Sequence, residues 1–101
     1  MPLLSHRVIG YDVGRMMFDF TMLTPDAKTV GCSISGSAMD RLIGRIGWMP
    51  TERAAQFLEL RSKIEEIASS IYDLENHPSH VYIFSKHVEV ILGTRGRGGK
   101  P

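Results

Sequence analysis

Residues 57–74, FLELRSKIEEIASSIYDL, decide the fold more clearly than any other stretch of this chain. At about 100° per residue, the apolar side chains fall on one side of a helical wheel and most charged ones on the other. The apolar side holds Phe57, Leu60, Ile64, Ile67, Ala68, Ile71 and Leu74. Since Thr51 is a good N-cap residue, the pattern predicts one long amphipathic helix over residues 51–74.

The charged residues of this helix at first suggest a catalytic cluster. Glu65 and Glu66 diverge by about 100° on a helix, whereas a catalytic carboxylate pair must converge on one substrate atom. Glu66 lies in the middle of the polar side and is predicted to be solvated. Arg61 lies four residues before Glu65 at the border of the two sides, so Arg61 and Glu65 remain as a candidate pair.

Two alternating stretches precede the long helix. Residues 16–23, MMFDFTML, and residues 29–35, TVGCSIS, place apolar side chains at every second position. The connection TPDAKT contains residues that favour turns. The pattern predicts an antiparallel hairpin with one apolar face. Cys32 lies on that face, so it is predicted to be a small buried hydrophobe rather than a nucleophile.

The remaining segments give weaker patterns. Ser35 or Ser37 can cap a short helix that ends near residue 46, and HVYIF at residues 80–84 is typical of a strand. Residues 1–14 leave open a short strand or an extended lead-in. Residues 86–92 leave open a short helix or a continuation of the strand.

These elements predict an α+β domain in the order β-β-β-α-α-β. The expected sheet is small and antiparallel, with three or four strands, and one long and one short helix pack on one of its faces. A chain of 101 residues forms one domain, which we assign to residues 1–92. Residues 93–101, GTRGRGGKP, are basic and Gly-rich and are predicted to be a disordered tail.

The composition favours the cytoplasm. No apolar run approaches the roughly 20 residues that a membrane-spanning helix needs, so no membrane segment is predicted. The first residues do not show the basic and then apolar pattern of a secretory leader. Cys32 is the only cysteine and excludes an intramolecular disulfide, as expected in a reducing compartment.

The basic tail is the one feature that points to nucleic acid. Arg95, Arg97 and Lys100 are 3 of the 12 basic residues, which leaves 9 against 11 acids in residues 1–92. The body therefore has a net charge of −2 and is not expected to bind nucleic acid. Three cations without an aromatic side chain predict at most weak association through the tail.

His77 and His80 form the only pair that resembles metal ligands. Zinc needs three or four ligands, so both histidines are predicted to be solvated loop residues, and no metal or cofactor is expected. The chain shows no Ser-His-Asp arrangement, phosphate loop or dinucleotide-binding motif. No catalytic residue is predicted.

Trp48 and Met49 lie in the break between the two predicted helices. The default expectation is that Trp48 closes one end of the core, because large aromatic residues are mostly buried. The alternative is an interaction patch, because Trp and Met are enriched at the centres of protein interfaces.

Three motifs have a recognisable spacing. The hairpin ends V-x-C-x-I-S at residues 30–35, and A-M-D at 38–40 opens a helix. The long helix carries F-x-x-x-R-x-x-I-E-x-x-A-x-x-I at residues 57–71, and an apolar strand follows at 81–84. Together these motifs resemble a family of short bacterial proteins catalogued as a domain of unknown function. The resemblance covers roughly residues 9–87, implies a compact α+β domain, and implies no activity.

Within that pattern, Arg61 and Glu65 are predicted to act as a structural clamp. The clamp would tie the long helix to the sheet or to Ser35 and Asp40. The alternative is that Arg61 lines an anion-binding cleft.

These features favour a non-enzymatic accessory or regulatory protein that binds another protein, with a homodimer as one form of that interaction. One alternative is a weak nucleic-acid-associated regulator that acts through the basic tail. A second alternative is a small-ligand binder or enzyme with a cleft near Arg61, which requires a concave apolar pocket.

Overall fold

A computed structural model describes residues 3–44 and 50–88 of the chain. The strands are β1 (Leu4–Asp12), β2 (Met17–Leu23), β3 (Thr29–Ser35) and β4 (His80–Ile83), and the helices are α1 (Gly36–Ile43) and α2 (Pro50–Leu74). The predicted α+β class and the element order β-β-β-α-α-β are confirmed. Trp48, Met49 and the tail with Arg95, Arg97 and Lys100 lie outside the described residues.

The sequence left the structure of residues 1–14 and of residues 86–92 open, and the described parts of both segments can now be assigned. The N-terminal stretch forms the nine-residue strand β1. Residues 85–88 form a helical turn, in which the amide of Val88 donates to the carbonyl of Phe84 at 3.4 Å. The chain therefore leaves the strand after Ile83, and the continued-strand alternative is wrong for residues 86–88. Among the described helices, none is long and apolar enough to cross a membrane.

The sheet is mixed rather than wholly antiparallel. Its strand order is β1-β2-β3-β4, and β1, β2 and β3 pair antiparallel as consecutive hairpins. β4 instead pairs parallel to β3, with Gly31 opposite His80 and Ile34 opposite Ile83. The chain passes from β3 to β4 through two helices, and such a crossover connection is what a parallel pair needs.

The helices and one face of the sheet enclose the core. Alternate residues of β2, β3 and β4 point toward α2, as the alternating patterns predict. The sheet residues of the core are Phe18, Phe20, Met22, Val30, Cys32, Ile34, Val81 and Ile83. The ring of Phe57 lies between those of Phe18 and Phe20, at centroid distances of 4.5 and 4.9 Å. Leu74, the last residue of α2, is 84% exposed. The apolar side of the helix therefore extends beyond the part that packs on the sheet.

The start of α1 follows directly from the end of β3. The side chain of Ser35 accepts a hydrogen bond from the amide of Ala38 at 3.1 Å, so Ser35 rather than Ser37 is the N-cap. Gly44 closes the helix at φ 81°, a left-handed conformation that favours glycine.

Arg53 joins the two helices in a buried polar contact. Its Nη1 donates to Asp40 Oδ1 at 2.6 Å, to the Gly36 carbonyl at 3.2 Å and to Gln56 Oε1 at 2.9 Å. The guanidinium also lies 5.4 Å from the ring centroid of Tyr11 on β1. A Cβ atom at Gly36 would come within 2.7 Å of Arg53 Nη2. Any other residue at position 36 would therefore have to displace the guanidinium of Arg53.

Candidate functional site on the open face of the sheet

Arg61 and Glu65 form an ion pair on α2, with Arg61 Nε 3.1 Å from Glu65 Oε2. Glu65 Oε1 accepts a hydrogen bond of 2.6 Å from the hydroxyl of Ser5 on β1. The pair thus connects α2 to the sheet. Its predicted alternative partners are held elsewhere, because Ser35 caps α1 and Asp40 binds Arg53. Sequence reasoning missed Arg53, whose position on α2 shows no special signal.

A cleft beside Glu65 does not include Arg61 in its lining, so it is not the anion-binding cleft predicted at Arg61. An open cleft of about 480 Å³ lies beside Glu65. Its lining consists of Leu3, Ser62, Glu65, Glu66, Ser69 and Ser70. Two carboxylates and three hydroxyls line this cleft without a cation, and the guanidinium of Arg61 points to Glu65 instead. An anion would be repelled there.

His77 and His80 interact with different groups. His77 Nε2 lies 3.5 Å from Asp73 Oδ1, and its ring stacks on Tyr72 at 4.6 Å between centroids. His80 Nε2 lies 2.9 Å from the hydroxyl of Ser33. Within residues 3–44 and 50–88, no three His, Cys, Asp or Glu side chains are grouped so that they could hold a metal ion.

The face of the sheet opposite the helices, here called the open face, carries a polar network. Asp19 on β2, Ser33 on β3 and His80 on β4 meet there because their strands are neighbours. The hydroxyl of Ser33 donates to Asp19 Oδ1 at 2.6 Å, and Arg15 forms ion pairs with Asp19 and Asp12. The spacing of residues 19, 33 and 80 gives no sequence motif for this network, because the three residues meet only in the folded sheet.

This network does not have the connectivity of a nucleophilic triad. Ser33 donates its single hydroxyl proton to the carboxylate of Asp19. His80 Nε2 therefore carries a proton and donates to the Ser33 oxygen, instead of accepting the proton as a base would. Ser33 is also fully buried. The arrangement positions the His80 ring and keeps the hydroxyl away from any substrate.

The His80 ring is held against the backbone of β3. A Cβ atom at Gly31 would lie only 2.5 Å from His80 Nδ1, so the ring occupies the space that any other residue at position 31 would fill. Burial lowers the pKa of His80, Arg15 lowers it further, and the carboxylate of Asp19 opposes the shift. The neutral imidazole fits the donor role of Nε2 toward Ser33.

A row of four rings runs along β4 and the following turn; we call His80, Tyr82, Phe84 and His87 the aromatic ladder. Adjacent ring centroids lie 4.5 Å apart for His80 and Tyr82, and 6.1 Å apart for the next two pairs. Tyr82 is 46% exposed and Phe84 42%. The alternation H-V-Y-I-F at residues 80–84 contained a signal for this row of rings. Because the valine and isoleucine are buried, the rings of the alternate residues lie on the opposite face.

Hydrogen bonds hold both ends of the aromatic ladder. His80 is bound to the buried Ser33. His87 Nδ1 accepts from the amide of Phe84 at 2.9 Å, while its own amide donates to the Phe84 carbonyl at 2.9 Å. This reciprocal bonding resembles a capping box. The two exposed rings therefore lie between two rings that hydrogen bonds hold in place.

A second surface lies on β1 and the turn that follows it. Of the nine large hydrophobic residues exposed in the described parts of the chain, five lie between residues 4 and 16. They are Leu4, Val8, Ile9, Val13 and Met16, here called the β1 surface. β1 is an edge strand of the sheet, and its pairing with β2 is irregular on both sides of Val8.

Comparison with solved structures supports the fold and adds no activity. The chain is similar to a crystal structure of a protein of unknown function from the DUF1488 family of Shewanella loihica PV-4, with a TM-score of 0.70 and 18% sequence identity. The similarity covers 80% of this chain and 90% of the other. No family model matches the sequence, and no curated protein matches it. The expected resemblance to an uncharacterised bacterial family is thus confirmed at the level of the fold.

Proposed function

We propose that this protein is a non-enzymatic interaction or regulatory module, and that its first partner is a second copy of itself. The observation that carries the proposal is the β1 surface, which gathers five of the nine exposed large hydrophobics into a short stretch. Exposed apolar residues concentrated in one edge strand and its turn favour a protein contact, whereas isolated exposed residues need no explanation. A homodimer would also stabilise a small two-layer domain by mass action.

The geometry of β1 favours contact through side chains rather than through backbone pairing. The register shifts on both sides of Val8 interrupt the regular pattern of the strand, and such bulges discourage the addition of another strand at an edge. Ile9 is 64% exposed within this irregular region. We therefore place the dimer contact on the apolar side chains of the β1 surface.

Two further observations support a non-enzymatic role. Ser33 is buried and donates to a carboxylate. The thiol of Cys32 is buried, and burial, together with the charge of Glu65, raises its pKa to about 12. Neither side chain is an activated nucleophile. A reduced, buried cysteine also agrees with the cytoplasmic location that we include in the proposal.

The test measures oligomeric state by light scattering and native mass spectrometry at protein concentrations of roughly 1–100 µM. We expect the wild-type protein to be dimeric at the upper end of this range. Ile9→Lys should shift the protein to monomer, because a charge would be buried at the contact. Leu58→Lys is the matched control, because Leu58 is 62% exposed on α2, outside the β1 surface. It should remain dimeric.

Thermal melts of both variants establish that each is folded. A wild-type protein that stays monomeric at every concentration would overturn the proposal. Equal loss of the dimer in Ile9→Lys and Leu58→Lys would overturn the assignment to the β1 surface. A monomer that retains a metal or an organic molecule in native mass spectrometry would favour the ligand-binding alternative instead.

A further inference from the structure

We infer that the cavity between the β2–β3 turn and the C-terminal end of α2 binds a small aromatic zwitterion, of which a free aromatic amino acid is the simplest example. This cavity, here called the turn pocket, has a volume of about 410 Å³, which lies in the range of small-ligand sites. Its lining consists of Thr24, Pro25, Asp26, Lys28, Tyr72 and His77. The inference goes beyond the proposed dimer, because none of these residues belongs to the β1 surface.

At the end of α2, a stack of two rings lines the turn pocket. The rings of Tyr72 and His77 lie 4.6 Å apart between centroids and are inclined by 10°. Tyr72 is partly buried against the core, whereas the side chain of His77 is 64% exposed. Since Tyr72 covers one face of the His77 ring, most of that exposure belongs to the other face. An aromatic ring of a ligand can extend the stack there as a third layer.

The His77 ring is held in this position before a ligand binds. Its Nε2 lies 3.5 Å from Asp73 Oδ1, and its backbone amide donates to the carbonyl of Tyr72 at 2.8 Å. Asn76 and His77 have φ angles of 64° and 62°, and this reversal of the chain after α2 returns the ring to Tyr72. Stacking of a ligand on His77 therefore loses little side-chain entropy.

The β2–β3 turn contributes one positive and one negative charge to the turn pocket. Lys28 Nζ lies 3.7 Å from Asp26 Oδ2, and the two side chains are 79% and 67% exposed. An ion pair this exposed contributes little to stability, so each charge can exchange its partner for a ligand at small cost. In an α-amino acid the ammonium and the carboxylate are attached to one carbon atom, so they can face Asp26 and Lys28 at the same time.

Hydrogen bonds within the turn fix the positions of these two charges. The hydroxyl of the buried Thr24 accepts from the amide of Lys28 at 2.9 Å and donates to Asp26 Oδ1. The amide of Thr24 donates to the carbonyl of Lys28 at 2.9 Å. The turn therefore presents both charges to the pocket in a defined arrangement.

Uncommon backbone conformations occur in both segments that form the turn pocket. In the described parts of the chain, four residues other than glycine have positive φ, namely Met16, Ala27, Asn76 and His77. Three of these four belong to the β2–β3 turn or to the end of α2. Left-handed residues other than glycine are uncommon and cluster at ligand-binding sites. Their location supports a ligand site at this cavity.

The chemistry of the turn pocket disfavours two other classes of ligand. A metal ion needs three or more ligands, and no such group of His, Cys, Asp and Glu occurs in residues 3–44 and 50–88. A polyanion such as a nucleotide would meet a single lysine, Lys28, with the carboxylates of Asp26 and Asp73 nearby. Those carboxylates would repel it.

The experiment is a two-dimensional amide NMR titration of the full-length protein with L-phenylalanine at up to roughly 10 mM. The signals of Ala27 and His77 should shift and saturate, which gives the affinity and the site together. Phenylalaninamide lacks the carboxylate and N-acetyl-phenylalanine lacks the ammonium, so each should bind about fivefold or more weakly. L-Alanine keeps both charges without the ring and should also bind more weakly, by a factor of about three or more.

Three variants test the residues of the turn pocket. Lys28→Gln and Asp26→Asn each remove one charge and should weaken the binding of phenylalanine about fivefold or more. His77→Asn removes the ring with a residue that also adopts a left-handed backbone, and should weaken binding by a factor of about three or more. Lys86→Gln is the matched control for Lys28→Gln, because Lys86 is exposed and does not line the turn pocket. It should bind as wild type does.

Saturating shifts at the turn pocket that depend on both charges and on the ring would support the inference. Absence of shifts at the highest concentration would overturn it, and so would equal binding of either blocked derivative or wild-type affinity in Lys28→Gln. The spectrum of each variant shows whether it is folded, and the series of ligands tests the inference on the wild-type protein alone. Because the turn pocket lies within one chain, the titration gives its answer whether or not the protein is a dimer.

Discussion

At the scale of single residues, His80 shows how one side chain depends on three strands. Its ring packs against the backbone of Gly31 and forms a hydrogen bond with Ser33. The charges of Asp19 and Arg15 on the open face also act on it. None of these neighbours is close to it in sequence. The alternation of β4 predicts which face His80 occupies, but not which residues it meets there, because that depends on the order of the strands.

The position of His80 predicts a pH dependence of stability. Its folded-state pKa lies below the ordinary value of 6.5, chiefly because of burial. Below that value the unfolded chain binds more protons than the native protein, so the free energy of unfolding should fall as the pH drops from about 7 to about 5. Denaturant titrations at several pH values measure this slope.

His80→Gln removes the titrating group while leaving an amide that can still donate to Ser33. The variant should therefore lose part of the pH dependence in this range. A slope identical to that of wild type would show that other groups cause it. A wild-type protein whose stability does not change between these pH values would contradict the expected depression of the pKa.

At the scale of elements, the β2–β3 hairpin has a turn that is not optimal for its backbone. Ala27 has φ 66°, and its amide donates to the carbonyl of Thr24 at 2.9 Å. An L-residue in this left-handed conformation costs roughly 1–2 kcal/mol, which glycine avoids. The alternating pattern predicted the hairpin but not the conformation of Ala27.

Ala27→Gly should therefore stabilise the protein by roughly 0.5–1 kcal/mol after the added flexibility of the unfolded chain is deducted. The melting temperature should rise by a few degrees. Ala55→Gly makes the same change at an exposed position of α2 and should destabilise by about 1 kcal/mol. Opposite signs for one chemical change would identify the backbone as the cause; a lower melting temperature for both would contradict it.

The joint between α1 and α2 depends on Arg53 more than on Arg61. Arg53 is 6% exposed and binds Asp40, Gly36 and Gln56. Arg53→Ala leaves the carboxylate of Asp40 without this cation in a mostly buried site, which should cost roughly 3 kcal/mol or more.

Arg61→Ala is the matched comparison, because it removes the same group from the same helix. The Arg61 side chain is one-third exposed and pairs with Glu65 on its own helix, so its loss should cost about 1 kcal/mol or less. Urea titrations of both variants measure the difference. If Arg61→Ala proved the more damaging, the predicted clamp would be the principal tie of α2, and the buried contact at Arg53 would be secondary.

At the scale of the whole molecule, the periodicity of apolar side chains predicted the helices and strands. The pairing of the strands in the sheet was harder to predict. The long helix, the hairpin and the strand at residue 80 follow from side-chain spacing, which local backbone geometry sets. The parallel pairing of β4 with β3 depends on the position that the chain reaches after the two helices. The spacing of residues in the sequence does not predict that position. For the same reason Arg53, Ser33 and His80 showed no signal as parts of networks.

The parallel pairing of β3 with β4 also has a consequence for the order of folding. Strands β1 to β3 can pair with near neighbours as soon as they leave the ribosome, whereas His80 must find Gly31 across both helices. Closing so long a loop is slow compared with forming a hairpin. During synthesis the edge of β3 therefore stays unpaired until β4 has left the ribosome. In this interval the nascent chain is most exposed to mispairing with another copy.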